Sequence, residues 1–435
     1  MRIKDFDKFE GEWYLDSCPN QKAHGSLKFT HRKLQLCISQ NHFYNKVFFD
    51  DDIAEGVTIC GNLLDGRKIT LLGCLMIKHH VSISSNCIEA YEVYEPSSIL
   101  LGDCIEGGSG DVFTGAAAYY PLINAWQKNL HFFFDVKNKV TIDTKFSLHD
   151  INFATDSKQN VNLAFISDFS STIDFAISAI DDFAKLITLF LGERCIYQDC
   201  IYLRNTNGKW IQLLPNFIRE IDDNLGQMIP YKNIKDDFND IVKTWWMKKE
   251  QLTIPTALFT DSCIAKKWEL IPEFIKMVQA LEVYSRRIKM PPLIPEEEFQ
   301  KMITSILTDI KNEQYKTWLE KRLKSYRGYN EPTCAKRHME LYKKMSSLMG
   351  ISLSNKKLSS ISYRIVNTRN YYTHFSSDEG IYKDDRQIYY ATIFMKYLLW
   401  TYILEEIGVA SVVISKYMSD ADELHFALNQ LTMRK

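Results

Sequence analysis

The sequence is short of the features that mark several large protein classes. Its 435 residues include only 18 glycines and 11 prolines, and no repeat or low-complexity tract occurs. This composition excludes fibrous and largely disordered chains. The ten cysteines form no Cys-x-x-Cys pair, and the first ten residues contain no apolar segment. We therefore expect reduced thiols, no signal peptide and a cytoplasmic location.

Long hydrophobic runs are also missing. Residues 388–404 form the strongest candidate, but Lys396 lies at their centre and the aromatic residues are spread along the segment. A membrane-spanning helix needs about 20 apolar residues and rarely carries a central lysine. We interpret this segment as a buried core or interface helix and expect no membrane partner.

Motifs of several enzyme classes are absent as well. The glycine-rich segment 107–110 lacks the Gly-Lys-Ser/Thr ending of a phosphate-binding loop. No serine or cysteine nucleophile motif occurs, and we expect no cofactor. One β-rich stretch holds candidate zinc ligands, namely Cys74, His79, His80 and Cys87, with Cys60 or Cys104 nearby. Their spacing matches no zinc motif, so isolated buried thiols are the alternative interpretation.

The net charge of −1 hides an uneven distribution of charge along the chain. Residues 262–435 contain 27 Lys and Arg against 20 Asp and Glu, whereas residues 1–261 contain 26 against 34. The C-terminal part is therefore basic, and the N-terminal part is acidic. Two interpretations of this uneven charge are open. It is either ordinary variation of the surface or a sign that the C-terminal part binds a polyanion.

Alternation of apolar and polar residues predicts an α+β fold whose β-rich part comes first. Short strands are expected at 26–30, 34–39, 57–61, 68–74, 81–84 and 130–134. Such strands, separated by turn residues, favour a sandwich or a barrel-like region over residues 1–150. Residues 151–260 predict a mixed α/β continuation with helices at 175–191 and 232–249 and a hairpin around 205–208.

From residue 261 onward the pattern is helical. Helices are expected at 263–289, 296–311, 314–324, 332–349, 355–375 and 386–407. Ser352 or Ser354 is a plausible N-cap for the fifth of these helices. Helices joined by short loops predict an all-α bundle over residues 261–435.

The end of the helix at 355–375 carries the most informative motif. Arg369, Asn370 and His374 bring a cation, a carboxamide and an imidazole to its last turns, and Asn370 lies one turn before His374. An imidazole can accept or give a proton near neutral pH, and a guanidinium can neutralise charge on a phosphate. These groups suit cleavage of RNA, whose 2′-hydroxyl is its own nucleophile. The alternative is a helix end whose basic side chains favour the helix dipole.

The C-terminal part resembles a HEPN domain. The signature of that family is an arginine, four to six residues and a histidine, often with asparagine after the arginine, and Arg369, Asn370 and His374 match it. Residues 274–282 resemble the first helix of the domain. The resemblance implies that Glu282 could orient Arg369 or His374, whereas a solvated helix charge is the alternative. Tyr371 and Tyr372, inside the motif, could stack on bases or belong to the core.

The N-terminal part resembles the opening domain of the ApeA family. The similar segments are 9–14, 24–27, 59–61, 69–72 and 113–126, and together they span most of residues 1–150. The resemblance therefore implies a two-part protein with a C-terminal HEPN bundle. It further implies a two-fold pair or higher homo-oligomer, whose two motifs form one RNA-cutting site, and a role in abortive defence against phage.

A metal-independent endoribonuclease is the function we expect. It would leave a 2′,3′-cyclic phosphate and a 5′-hydroxyl, transfer RNA would be one candidate target, and a phage-derived trigger would act through the N-terminal domain. Basic residues that could line an RNA groove, or simply form a solvated helix face, are Lys321, Arg322, Lys324, Arg327, Lys336 and Arg337.

Two other functions fit the same sequence. In the first, the chain binds RNA or a partner without cutting it. In the second, the β-rich domain is a receptor for a phage protein, and the helices serve only oligomerisation.

Overall fold

The computed structural model describes most of the chain. The described residues are 8–30, 33–39, 56–84, 87–105, 112–126, 131–136, 138–143, 163–215, 229–263, 269–288, 291–325 and 330–433. The chain divides into two compact units. The first contains residues 1–187 and 195–227, and the second contains residues 188–194 and 228–435. This division differs from the expected boundaries at 150 and 260, because residues 151–260 contribute to both units.

The described residues of the first unit form thirteen strands, which pair in one antiparallel sheet. They are β1 (Lys8–Leu15), β2 (Ala23–Thr30), β3 (Lys33–Ser39), β4 (Val57–Leu63), β5 (Lys68–Ser84), β6 (Cys87–Glu95), β7 (Ser98–Leu101), β8 (Phe113–Tyr119), β9 (His131–Val136), β10 (Asn138–Asp143), β11 (Leu163–Ser171), β12 (Gln198–Asn205) and β13 (Trp210–Pro215). The helices of this part of the chain are α1 (Pro121–Trp126) and α2 (Ile173–Leu191).

The first six strands close into a barrel. They pair in the order β4-β1-β2-β3-β6-β5, and β5 pairs back onto β4. Closure removes free strand edges, which otherwise template aggregation. The remaining strands extend from β5 as β7-β13-β12-β8-β11-β10-β9.

The barrel encloses Trp13, which is fully buried. The Trp13 indole N–H donates a 3.0 Å hydrogen bond to the Gly25 carbonyl. A Cβ at Gly61 would lie 2.5 Å from Cε3 of the same ring, so only glycine fits beside it. The remaining interior is filled by alternate residues of the strands, including Leu27, Leu36 and Ile59.

Strand β5 differs from the sequence prediction, which placed two separate strands at 68–74 and 81–84. The structure has one strand of 17 residues. Its polar middle stays extended because it pairs with β6, where His79 lies opposite Glu92 and His80 opposite Tyr91. Cross-strand pairing here overrides the local residue preference.

The second unit is an all-helical bundle. Its helices are α3 (Phe238–Ser262), α4 (Leu270–Ile288), α5 (Glu296–Asp309), α6 (Glu313–Ser325), α7 (Cys334–Leu348), α8 (Asn355–His374), α9 (Asp385–Glu406), α10 (Ser411–Ser419) and α11 (Asp422–Thr432). A 3-10 turn, Tyr231–Asn233, precedes them. The α+β class with a β-rich first part and a helical second part is confirmed.

Helix α9 is the centre of this bundle. It packs against α3, α4, α7, α10 and α11, and the predicted segment 388–404 supplies its buried residues. The Trp400 indole N–H donates a 2.7 Å hydrogen bond to the Leu189 carbonyl. The interpretation of this segment as a buried core helix is therefore confirmed. Among the described residues, no helix combines the length and the hydropathy needed to span a bilayer.

Helix α3 also differs from its prediction, which ended it at residue 249. The helix continues through Pro255 to Ser262. A proline inside a helix removes one backbone hydrogen bond. The second half nevertheless buries Leu252, Pro255 and Phe259, and this tertiary packing outweighs the local cost.

Candidate functional site

Helix α8 carries the motif, and its first half fixes the helix in the bundle. Ser354 caps its start by accepting a hydrogen bond from the Lys357 N–H. Leu358, Ile361 and Ile365 are buried, and α8 packs against α4, α7 and α11. The last turn, residues 371–374, is more open to solvent. The bundle thus holds the helix rigidly and leaves its end accessible.

Arg369 points into the bundle. Its Nη2 lies 2.5 Å from Oε2 of Glu282 on α4, and its Nη1 donates a 2.9 Å hydrogen bond to Oδ1 of Asn370. The side chain is 17% exposed. The structure therefore brings three of the expected site residues into one hydrogen-bonded group, with Glu282 and Asn370 orienting the guanidinium.

Glu282 contacts two further arginines through its other oxygen. Oε1 lies 3.4 Å from Nη2 of Arg286 and 3.6 Å from Nη2 of Arg337. Glu331 contacts the same two arginines at 3.3 and 3.4 Å. We call Glu282, Arg286, Glu331, Arg337 and Arg369 the arginine cluster. Three guanidinium groups face two carboxylates, which leaves an excess positive charge beneath the end of α8.

Arg337 is the most enclosed member of the arginine cluster, with 4% of its side chain exposed. Its Nη1 donates to the Pro332 carbonyl at 2.5 Å, and its Nε donates to the Ser285 hydroxyl at 3.3 Å. A buried arginine needs such partners because an unpaired buried charge is very unfavourable. We therefore assign Arg337 a role inside the bundle, in place of the expected phosphate contact.

His374 lies at the exposed end of α8. It is one helical turn beyond Asn370, so the two side chains share a face. Arg369 and His374 are about 140° apart around the helix axis. Within one copy the guanidinium turns toward the bundle, and no hydrogen bond to the imidazole is found among the described residues. At the end of α8 the Arg369 guanidinium is therefore held inside the bundle, whereas the His374 imidazole is exposed.

His338 of α7 lies below the arginine cluster and is fully buried. Its Nδ1 is 3.3 Å from the Tyr342 hydroxyl, and its Nε2 is 3.7 Å from the Cys334 sulfur. Burial, together with the nearby positive charges of Arg337 and Arg369, lowers the pKa of His338 to about 3. This imidazole is therefore a neutral structural group.

The burial of His338 predicts a pH-dependent stability. Between its ordinary pKa of 6.5 and about 3, the imidazole binds a proton in the unfolded chain and not in the folded one. The free energy of unfolding should therefore fall as pH drops through this window, by up to about 1.4 kcal/mol per pH unit from this group. Above pH 6.5, His338 should make no contribution to the pH dependence of the free energy of unfolding.

Urea unfolding of the parent and of His338→Gln at pH 4 to 8 measures this effect. The glutamine variant should have the shallower dependence below pH 6.5, because the titrating group is gone. Two parallel curves would contradict the assignment of a neutral buried imidazole.

The other basic residues expected to bind RNA are dispersed. Lys321 and Arg322 are exposed on α6, where the Arg322 guanidinium lies 5.9 Å from the centre of the Trp318 ring. Lys336 is exposed on α7. Lys324 belongs to α6, but its side chain lies outside the described part, as does Arg327 altogether. Among the described side chains, no contact joins Lys321 or Lys336 to the motif.

The candidate zinc ligands are spread along the hairpin of β5 and β6. Cys74 and His80 lie on the same strand, so about 20 Å of extended backbone separates them. Cys87 begins β6 opposite Ser84, farther along the hairpin. Among the described residues, no three His, Cys, Asp or Glu side chains are arranged to hold a metal ion. The strand geometry therefore contradicts a single ion bound by all four candidates.

Cys60 and Cys104 form a pair of thiols. The hydrogen bond from the Cys60 thiol lowers the pKa of Cys104, and the same interaction raises the pKa of Cys60. The Cys104 sulfur also lies 3.6 Å from the Ile69 carbonyl and 3.7 Å from the Gly61 carbonyl. These contacts belong to the closing strands of the barrel.

Sequence reasoning missed two members of the arginine cluster. Arg286 follows Glu282 by four residues, a spacing that predicts an ion pair on one helix face. Glu331 lies in a loop, and nothing in its sequence context indicates its partners. Its role depends on the packing of α7 against α4.

Comparison with protein families gives two matches that together span most of the chain. Residues 8–245 match ApeA N-terminal domain 1, and residues 275–412 match the Apea-like HEPN domain. Searches of curated proteins and of solved structures returned no match. The second family region contains Glu282, Arg369, Asn370 and His374. Because the first match alone covers more than half of the residues, the chain belongs to the ApeA family and carries a C-terminal HEPN domain.

Proposed function

We propose that the chain is a metal-independent endoribonuclease of anti-phage defence that acts through Arg369, Asn370 and His374. The proposal depends on two groups at the end of α8 that differ in exposure to solvent, the His374 imidazole and the Arg369 guanidinium. An accessible imidazole lies one turn from a carboxamide that is bonded to an internally held guanidinium. Proton transfer and charge neutralisation are the two tasks that phosphodiester cleavage requires.

The chemistry follows from the substrate. The imidazole removes the proton from the ribose 2′-hydroxyl, whose oxygen attacks the adjacent phosphorus. The bond to the 5′-oxygen breaks, and that oxygen receives a proton from a second imidazole or from water. The positive charge of Arg369 opposes the negative charge that grows on the phosphate oxygens. The products are a 2′,3′-cyclic phosphate and a 5′-hydroxyl, and no metal-bound water is required as the nucleophile.

A second copy of the chain supplies what one copy lacks. Because Arg369 and His374 diverge by about 140° on the helix, one helix end does not surround a phosphate. Two α8 ends facing each other across a two-fold axis would offer two imidazoles, one to accept and one to give the proton. We therefore propose a homodimer or higher homo-oligomer formed by the HEPN domain.

The barrel-containing domain would control this activity. Membership of the ApeA family supports a defence role in which the nuclease stays silent until infection. We propose that this domain senses a phage-derived trigger or restrains the nuclease. Transfer RNA is a candidate target because its cleavage would halt translation.

Chelation gives the direct test of the proposed function. Purified protein is incubated with RNA in excess EDTA, and the fragments are resolved on a gel and tested for cyclic phosphate ends. We expect the same cleavage rate with and without EDTA, because the proposed reaction uses no metal. An RNA of the same sequence with 2′-O-methyl groups is the control, and it should remain intact because its nucleophile is blocked.

Loss of cleavage in EDTA would contradict the metal-independent mechanism. Binding of the RNA with no cleavage in any buffer, even after addition of extract from phage-infected cells to supply the trigger, would support the alternative of a non-catalytic binding protein.

A further inference from the structure

Phe375 has an unusual backbone conformation. It ends α8 with φ 51° and ψ 41°, in the left-handed region, and its N–H donates to the Tyr371 carbonyl at 3.0 Å. Among the described residues, every other residue with a positive φ is a glycine. The left-handed conformation is unfavourable for a residue with a bulky side chain, and helices usually place glycine or asparagine here.

The folded chain gains little from the Phe375 ring. The residue is 92% exposed, which is the highest value among the exposed large hydrophobic residues of the described chain. Burial therefore does not offset the unfavourable backbone. An aromatic side chain that is exposed, has an unfavourable backbone conformation and lies beside a candidate active site indicates a role in binding another molecule, not in stabilising the fold.

Phe375 belongs to a small aromatic surface. The ring centres of Tyr371 and Phe375 are 6.2 Å apart, and those of Tyr371 and Tyr372 are 5.3 Å apart in an edge-to-face arrangement. Tyr372 is 39% exposed. We call these three residues the aromatic surface of α8.

The aromatic surface lies beside His374. Each helical residue advances by about 100° around the axis, so His374 lies between Asn370 on one side and Tyr371 on the other. Polar groups that suit a phosphate therefore occupy one side of the imidazole. Tyr371 occupies the other side, and its ring contacts those of Tyr372 and Phe375, which extend the aromatic surface away from the imidazole.

We propose that Phe375, together with Tyr371 and Tyr372, stacks on an unpaired nucleobase next to the phosphate on which His374 acts. The inference rests on the proposed function and names its substrate class, which is RNA cut in a loop or single strand. Aromatic rings stack on the faces of splayed-out bases, whereas in a duplex neighbouring base pairs cover those faces. The excess positive charge of the arginine cluster complements the phosphate of the same nucleotide.

A glycine variant separates this role from a structural one. Phe375→Gly removes the ring and relieves the left-handed backbone, so its Tm should equal or exceed that of the parent. Its binding to RNA should nevertheless be at least about 5-fold weaker, because base–aromatic stacking is lost. Phe375→Tyr keeps an aromatic ring and should bind like the parent.

Binding is measured in the His374→Ala background, where the RNA should stay intact. The probe is a single-stranded oligonucleotide that contains 2-aminopurine, whose fluorescence falls when the base stacks. The same oligonucleotide annealed to its complement is the paired control. Phe426→Leu is the matched protein control, because Phe426 is an exposed aromatic on α11.

The result that supports the inference is weaker binding and lost quenching in Phe375→Gly, for single-stranded RNA only and without a lower Tm. Unchanged binding, a lower Tm, or a loss that sedimentation traces to dissociation of a homo-oligomer would overturn it. The proposed function can fail separately. If the parent binds RNA through Phe375 but does not cut it, the nuclease proposal is wrong and the stacking site remains.

Discussion

Replacing His374 with alanine is expected to lower the rate of RNA cleavage by at least about 100-fold, the usual contribution of a general acid or base. The side chain is exposed at the end of α8, so its loss should leave the fold and the Tm unchanged. The measurement is the single-turnover rate on a fixed RNA together with thermal unfolding. In cells the same substitution should remove toxicity.

His425→Ala is the matched control for this experiment. His425 is also a partly accessible histidine of the bundle, on α11, where its Nε2 lies 3.0 Å from the Ser419 carbonyl. This variant should cut at the parental rate. A His374→Ala protein that retains the parental rate would show that the cleavage site lies elsewhere.

Replacing Glu282 with glutamine is expected to affect both stability and activity. The change keeps the shape of the side chain but removes the charge that faces Arg286, Arg337 and Arg369. After the change Glu331 is the only carboxylate of the arginine cluster, so the charges of its three arginines, among them the nearly enclosed Arg337, are largely uncompensated. We expect the free energy of unfolding to fall by about 3 kcal/mol, the lower end of the range for breaking a buried ion pair.

The activity of Glu282→Gln should fall as well, because Arg369 loses the carboxylate that orients it. Urea unfolding of the intact protein measures the loss of stability, and the single-turnover cleavage rate measures the loss of activity. Glu340→Gln is the matched control. Glu340 is a partly exposed residue of α7 whose partner is Lys343 at 2.7 Å, and such a pair contributes about 0.5 kcal/mol or less.

Equal stability of the two glutamine variants would contradict the structural role of the arginine cluster. A destabilised Glu282→Gln protein with the parental cleavage rate would restrict that role to folding.

Periodicity predicted the elements that depend on one buried face. Helix α2 and the hairpin of β12 and β13 could be predicted from local turn and capping residues. Their observed ends lie within two residues of the predicted ends. Strand β5 and helix α3 could not be bounded in this way. His79 and His80 remain in a strand because of β6, and Pro255 remains in a helix because the bundle buries it. Both outcomes depend on contacts that are distant in sequence.

The candidate site was predictable to a similar extent. The spacing of Arg369, Asn370 and His374 and the match to Glu282 come from the sequence. The neighbours Lys336 and Arg337 look alike in sequence, but one is exposed and the other is enclosed by Glu282, Glu331 and Ser285. They differ because Lys336 lies on the face of α7 toward solvent, whereas Arg337 lies on the face toward the bundle. The left-handed conformation of Phe375 also has no sequence signal, since glycine is the usual residue there.

A guanidinium keeps its proton at every pH that a living cell reaches. The positive field beneath the end of α8 is therefore permanent, and no change of acidity can discharge it. A defence nuclease that must spare its host consequently needs a physical barrier. For the nuclease proposed above, such a barrier would either shield His374 or keep two copies apart.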